Sequence, residues 1–165
     1  MMIRLATTDD LPAVLAIVRE VVMEMRAVGN TQWDDAYPDA SRFERDVENS
    51  ALHVAEQNGE VLGFIAVDQD EPAGYKPLPW NDSRDALVIH RFAVAQQSRS
   101  LGIASLLEAF VCRLAQERDI SSIKVDTYSI NAGMQAFLTR RGYRKIGEME
   151  FLGKPLPFFC YEKPL

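Results

Sequence analysis

Cysteine is nearly missing from this chain. Cys112 and Cys160 are the only two in 165 residues. Two thiols cannot build a disulfide framework, so the fold must rest on a hydrophobic core, as expected of a reducing compartment. Histidine is equally scarce. His53 and His90 lie in separate strand-like stretches without the clustered spacing of metal ligands, and no metal is expected. No apolar run approaches the ~20 residues that a membrane span needs. The opening "MMIRLATTDD" lacks the apolar stretch of a secretory signal. A cytoplasmic protein without a membrane partner is the expectation. Lys and Arg number 18 against 24 Asp and Glu, a net charge of −6. With no dense basic stripe, nucleic acid is a poor partner.

What is present is a core-forming composition, 47% hydrophobic and 25% charged. It predicts a single domain over 1–165. Residues 1–85 hold 7 Lys/Arg against 17 Asp/Glu, and residues 86–165 hold 11 against 7. An acidic and a basic half could attract a cation to one side and an anion to the other, though charge alone favours two solvated faces with no ligand.

Periodicity orders the elements. "MIRLA" reads as a strand. Leu11, Val14, Leu15, Val18, Val22 and Met25 then recur at helical spacing, with Thr7 and Asp10, or Thr8 alone, as the cap, Pro12 in the first turn and Gly29-Asn30 as the stop. "SRFERDVEN" reads as a short helix with Phe43 and Val47 inward. "ALHVAEQ" and "EVLGFIAVD" flank Asn58-Gly59, a strong hairpin signal. A long loop with three prolines, Tyr75 and Trp80 follows, of the kind that carries function. Then come the strand "ALVIHRFAV", a helix over 100–118 with Leu106, Leu107, Phe110 and Leu114 inward, the strand "SSIKVDTYSI" and the helix "NAGMQAFLTRR" closed by Gly142. "YRKIGEMEFLG" and "PFFCYEK" read as a closing antiparallel pair. The order β-α-α-β-β-β-α-β-α-β-β predicts an α/β fold with a mixed, mostly antiparallel sheet flanked by helices. The apolar "LPFFCYE" either closes that sheet or pairs across a homodimer.

The turn "RSLGIA", Arg99 to Ala104, joins a strand to a helix without any acidic residue. A helix start leaves about four N–H groups unpaired and carries a partial positive charge. Small residues at Gly102 and Ala104 let such donors wrap a phosphate, and Arg99 adds a cation; equally, this is an ordinary turn with a glycine in a tight spot.

"VAQQSRSLGIASLL" resembles the acetyl-CoA signature of the GCN5-related N-acetyltransferase (GNAT) superfamily, Q/R-x-x-G-x-G/A after a strand ending in Val. "DTYSINAGMQAFLTRRGYRKIG" is similar to its second motif, an Asn past a strand, a short helix, then Gly and an aromatic. The element order agrees along nearly the whole chain, and the pattern resembles a stand-alone bacterial subgroup of unassigned substrate. The resemblance implies that strands 4 and 5 splay apart around the pantetheine arm, with backbone contacts from Phe92 and Val94. It implies N–H donors to the pyrophosphate from Leu101, Gly102, Ile103, Ala104 and Ser105, and a bond from Asn131 to the pantetheine. Two departures stand out. Ser100 replaces a usual Gly, which is tolerable at negative φ. Leu138 occupies the position where many members carry a thiolate-protonating tyrosine.

Acetyl transfer to an amine needs a group that takes a proton from an ammonium of pKa ~10.4. Asp126, five residues before Asn131, sits where ribosomal-protein N-acetyltransferases of the superfamily hold a glutamate base. His90, a residue type suited to proton transfer, could be a base or part of a water relay, although a satisfied core histidine is the favoured reading. Tyr128, at the end of its strand, is the best substitute acid, with Tyr161 a weaker choice, although a packed aromatic at the strand end is slightly favoured. The N–H of Val94 is the oxyanion donor if its strand bulges. Trp33 and Tyr37, with Tyr75, Trp80 and the nearby Asp34, Asp35, Asp70 and Glu71, could form an aromatic, acidic pocket for a cationic amine. Equally, the aromatics could anchor their own loops, and for Trp80 this is favoured. The expectation is an acetyl-CoA-dependent N-acetyltransferase acting on a small-molecule primary amine by direct transfer in a ternary complex. A protein or peptide N-acetyltransferase and a non-catalytic CoA-binding sensor are the alternatives. A nucleotide-binding domain fares badly, since no Walker lysine follows the glycine.

Overall fold

The computed structural model describes residues 1–82 and 84–165. The strands form a seven-stranded sheet in the order β1-β2-β3-β4-β5-β7-β6. The chain forms two compact units. The first comprises Met1–Val67 and Arg91–Phe110, the second Asp68–His90 and Val111–Leu165.

The first unit contains β1 (Met2–Leu5), α1 (Leu11–Ala27), α2 (Ala40–Glu48), β2 (Leu52–Gln57) and β3 (Glu60–Asp68, to Val67). It also holds the second half of β4 (Leu87–Val94) and the first half of α3 (Ile103–Glu117). Strands β1, β2 and β3 pair antiparallel. Asn58 and Gly59 have φ of 54° and 82° at the hairpin, the two positive values that a type I′ turn requires. Helix α1 buries Val14, Ile17, Val18, Val21 and Val22, with Pro12 in its first turn. Before it, Asp10 accepts from the Thr7 N–H at 2.8 Å and from both terminal nitrogens of Arg4 at 2.8 Å. The Arg4 hydrogen bonds hold the Asp10 carboxyl down at about 2. Asp39 caps α2 by accepting from the Arg42 N–H at 3.0 Å, and Phe43 is fully buried.

The second unit contains the start of β4, the rest of α3, β5 (Ser122–Tyr128), α4 (Ala132–Arg140), β6 (Arg144–Met149) and β7 (Phe158–Pro164). Strands β4 and β5 run parallel, with a ladder from Leu87↔Ile123 to Ile89↔Val125, while β4 runs on to Val94. Strand β7 pairs antiparallel with both β5 and β6, so the C-terminal "LPFFCYE" closes the sheet. The 69–86 loop carries a short 3-10 turn, Ala73–Tyr75. Asn81 and Asp82 in it donate their N–H groups to the buried Glu162 carboxylate of β7 at 3.0 and 3.1 Å.

Helix α3 departs from expectation. It begins at Ile103, not near Ser100, because Ser100 and Gly102 have φ of 73° and 76° and cannot continue a right-handed helix. The later start rotates its inward stripe to Ile103, Leu107, Val111 and Ala115, and Leu106 is 45% exposed. Among the described residues no helix is long and apolar enough to cross a membrane. The charge split does not follow the sequence halves. The first unit holds 7 Lys/Arg against 13 Asp/Glu, and the second 11 against 11.

Candidate functional site

In the first unit β4 ends at Val94, and Ala95 N–H bonds Leu62 O at 2.9 Å. A 3-10 turn, Gln96–Ser98, leads into Arg99, whose Nη2 lies 2.6 Å from Glu24 Oε2. The Leu101 N–H makes a long bond of 3.4 Å to Ser98 O. The first helix-type bond runs from Leu106 N–H to Gly102 O at 3.0 Å. The N–H groups of Gly102, Ile103, Ala104 and Ser105 precede it. They are the orphan donors of this helix start. A Cβ on Gly102 would meet nothing within 4 Å, so open space lies over the turn. No residue from Ala95 to Ser105 is acidic. Ser100 sits in the left-handed region, where glycine is favoured. Its tolerance at negative φ therefore does not apply.

The Ile103 side chain is buried and fixes the turn from below. Gly63 on β3 makes room for it. A Cβ there would stand 2.9 Å from Ala93 O, 3.3 Å from Val94 Cα and 3.3 Å from Ile103 Cγ2. Donors of this kind, with a small neighbour, fit a pyrophosphate, although two carboxylates of α1 reach the turn's edge, Glu24 at Arg99 and Glu20 at the Gln96 N–H at 3.4 Å. Phe92 and Val94 are half-buried on the same stretch of β4.

Arg91, fully buried on β4, makes two 2.7 Å bonds to the Asp46 carboxylate of α2 and a 3.0 Å bond to the Tyr37 hydroxyl. Tyr37 thus accepts from the guanidinium, and among the described residues its own O–H has no acceptor. Trp33 is 6% exposed and stacks on Phe64 with ring centroids 6.4 Å apart, so it anchors its loop to the core. Asp34 and Asp35 are engaged locally, by the Tyr37 N–H at 3.0 Å and by Arg26 at 3.1 Å.

In the second unit Asp126, at the middle of β5 opposite Cys160, accepts from the Tyr75 hydroxyl at 2.7 Å. Burial pushes the Asp126 carboxyl up to about 6, against the opposing pull of that hydrogen bond and of the His90 charge. His90 Nε2 lies 2.6 Å from Asp68 Oδ1. Burial also pushes the Cys160 thiol up to about 12, leaving it protonated beside Asp126. Tyr128 is 1% exposed, rests on Phe158 with centroids 5.0 Å apart, and accepts from Leu156 N–H at 3.2 Å. Asn131 caps α4 by accepting from the Met134 N–H at 3.2 Å, and Leu138 is buried. Trp80 donates from Nε1 to Tyr75 O at 2.7 Å, under the Lys124 ammonium that pairs with Glu71. It anchors its loop, as favoured above. A cavity of about 610 Å³ lies beside it, lined by Glu71, Trp80 and Lys124 among others.

The aromatics expected to share one pocket therefore divide between the units, Trp33 and Tyr37 in the first, Tyr75 and Trp80 in the second. Within the second unit the fold gathers Asp126, His90, Tyr75 and Asp68. Neither Tyr75 as the partner of Asp126 nor Asp68 as the partner of His90 was anticipated. The only sequence signal was an aromatic in a long loop.

Residues 16–143 match the Acetyltransferase (GNAT) family. The chain is 27% identical to N-acetyltransferase 8B of Mus musculus over 112 residues, 67% of this chain and 44% of that protein. It spans 44% and 42% of the lengths of two curated relatives. It is similar in structure to a GNAT-family acetyltransferase from Streptococcus agalactiae 2603, with 25% identity, a TM-score of 0.84 and coverage of 99% and 95% of the two chains. A candidate acetyltransferase from Staphylococcus aureus Mu50 matches at 30% identity and a TM-score of 0.79 over 99% of both chains.

Proposed function

Because the chain belongs to the acetyltransferase (GNAT) family, we propose that it moves an acetyl group from acetyl-CoA to the primary amine of a small molecule, by direct transfer in a ternary complex. The observation that carries this is the turn at Gly102–Ser105, where consecutive N–H donors precede the first helical bond under open space with no carboxylate among them. These groups, with Arg99 beside them, would hold the pyrophosphate of acetyl-CoA, and the half-buried Phe92–Val94 backbone would carry its pantetheine arm. Asn131 would bond that arm while capping α4. When bound, acetyl-CoA supplies the activated acyl group.

The remaining work belongs to the side chains. Asp126, poised near neutrality, takes the proton of the acceptor ammonium. His90, held by Asp68, is the second proton carrier. We assign it this role ahead of Tyr128, which is 1% exposed and packed against Phe158. Tyr37, clamped by Arg91, offers a fixed donor to a polar group of the acceptor. That rigid aromatic favours a small acceptor over a peptide in extended form.

Calorimetric titration with acetyl-CoA tests the proposal, with ATP as the control ligand. We expect micromolar binding that Gly102→Glu abolishes, since the carboxylate would stand where the pyrophosphate goes. Circular dichroism checks that the variant is folded, and Ala104→Glu repeats the test at a position without positive φ. Absence of binding by the unaltered protein would remove the proposal.

A further inference from the structure

We propose that Tyr75 is a positioning residue for the proton-accepting group: its hydroxyl pins one oxygen of the Asp126 carboxylate in place and leaves the other open to the amine. This rests on the assignment of Asp126 as the base.

The geometry is built from the 69–86 loop. Tyr75 is fully buried, and a buried hydroxyl needs a partner. Its partner, 51 residues away, is Asp126 Oδ2 at 2.7 Å. The loop gives Tyr75 little freedom. Its N–H bonds Pro72 O at 2.9 Å, its carbonyl accepts from Trp80 Nε1 at 2.7 Å, and its ring lies 4.9 Å from that of Trp80. Beside it Gly74 is pressed against β6, where a Cβ would come within 2.7 Å of Met149 Sδ. The phenol is thus delivered to one spot by contacts that owe nothing to Asp126.

The carboxylate is held on one side only. Among the described residues Oδ1 of Asp126 has no hydrogen-bond partner, and the residue as a whole is half-buried. A buried carboxylate kept for structure alone usually has a cation and several donors. Here the nearest cation along β5, Lys124, is paired with Glu71 of the loop. The other groups facing Asp126 are His90 from β4, itself bonded to Asp68, and Cys160 from β7, with Lys145 and Glu148 of β6 beyond the thiol. None of these substitutes for the phenol. Burial and the Asp126 charge push the Tyr75 hydroxyl well above its ordinary value, so it stays a donor through the working pH range. Its bond favours the ionised carboxylate, opposing the burial that favours the acid.

The test is Tyr75→Phe, which keeps the ring and removes one hydroxyl, set beside Asp126→Asn. Carbon-13 NMR follows the Asp126 carboxyl, and kcat/KM is recorded against pH. In the unaltered protein both should turn over near pH 6. In Tyr75→Phe both should move upward by about one unit, because the bond that stabilised the charged form is gone. The rate should fall about tenfold on the acid limb and recover in alkali. Asp126→Asn should lose activity at every pH. If Asp126→Asn is inactive but Tyr75→Phe leaves the carboxyl titration unmoved, or lowers the rate equally at all pH values, Tyr75 does not position the base, while Asp126 keeps its role. Full activity of Asp126→Asn would overturn the base assignment and this proposal with it.

Discussion

Ser100 holds φ at 73°, where a side chain's Cβ crowds its own backbone. Such a residue costs about 1 kcal/mol relative to one that is at ease there. Ser100→Gly should therefore raise the melting temperature by about 2–4 °C. Acetyl-CoA affinity should not fall, because the donors of the turn are backbone groups. A melting curve that is unmoved or lowered would show that the serine side chain repays its strain. At this scale the sequence was informative wherever chemistry is local. Gly102 and the Asn58-Gly59 hairpin each follow from one or two neighbours. Asp126 was singled out by its distance from Asn131, and its role as base is proposed above. The bond from Tyr75 to Asp126 was not, since a proline-rich loop has no period and gives no register between residues 51 apart. Trp33 illustrates the converse. An aromatic in an irregular loop looks available for a ligand, yet it stacks on Phe64 in the core.

Elements were read well because each carries its own period, but the phase of α3 was not. Three residues of turn, Ser100 to Gly102, delay its start, and the buried stripe rotates with it. A small residue on another element also sets where that helix starts. Gly63 of β3 allows Ala93, Val94 and Ile103 to approach within 2.9–3.3 Å of where its Cβ would be. Gly63→Ala should push the end of β4 and the first turn of α3 away from β3. Overpacking of this kind costs about 1–3 kcal/mol. We expect the variant to fold with a lower melting temperature and to bind acetyl-CoA more weakly in the same calorimetric titration. Unchanged affinity with lowered stability would show that the donor turn tolerates the displacement.

For the molecule as a whole, the order of elements and the mixed sheet were legible, and the distribution of charge was not. Counting by sequence halves assigned the turn at Gly102 to a basic region. The fold instead inserts residues 91–110 among residues 1–67, so the turn lies in a unit with 7 basic and 13 acidic residues. Contact at the turn is short-ranged and made by backbone dipoles, whereas the field felt at a distance comes from the surplus of carboxylates. With acetyl-CoA bound at this turn as proposed, the polyanion would diffuse toward the donors against a repulsion that reaches about 30 Å at 0.01 M salt but only about 8 Å at 0.15 M. Stopped-flow measurement should find the association rate rising with ionic strength over that interval, the reverse of an electrostatically steered encounter. The dipoles at the turn would then set how long the cofactor stays, and the salt of the medium how soon it arrives.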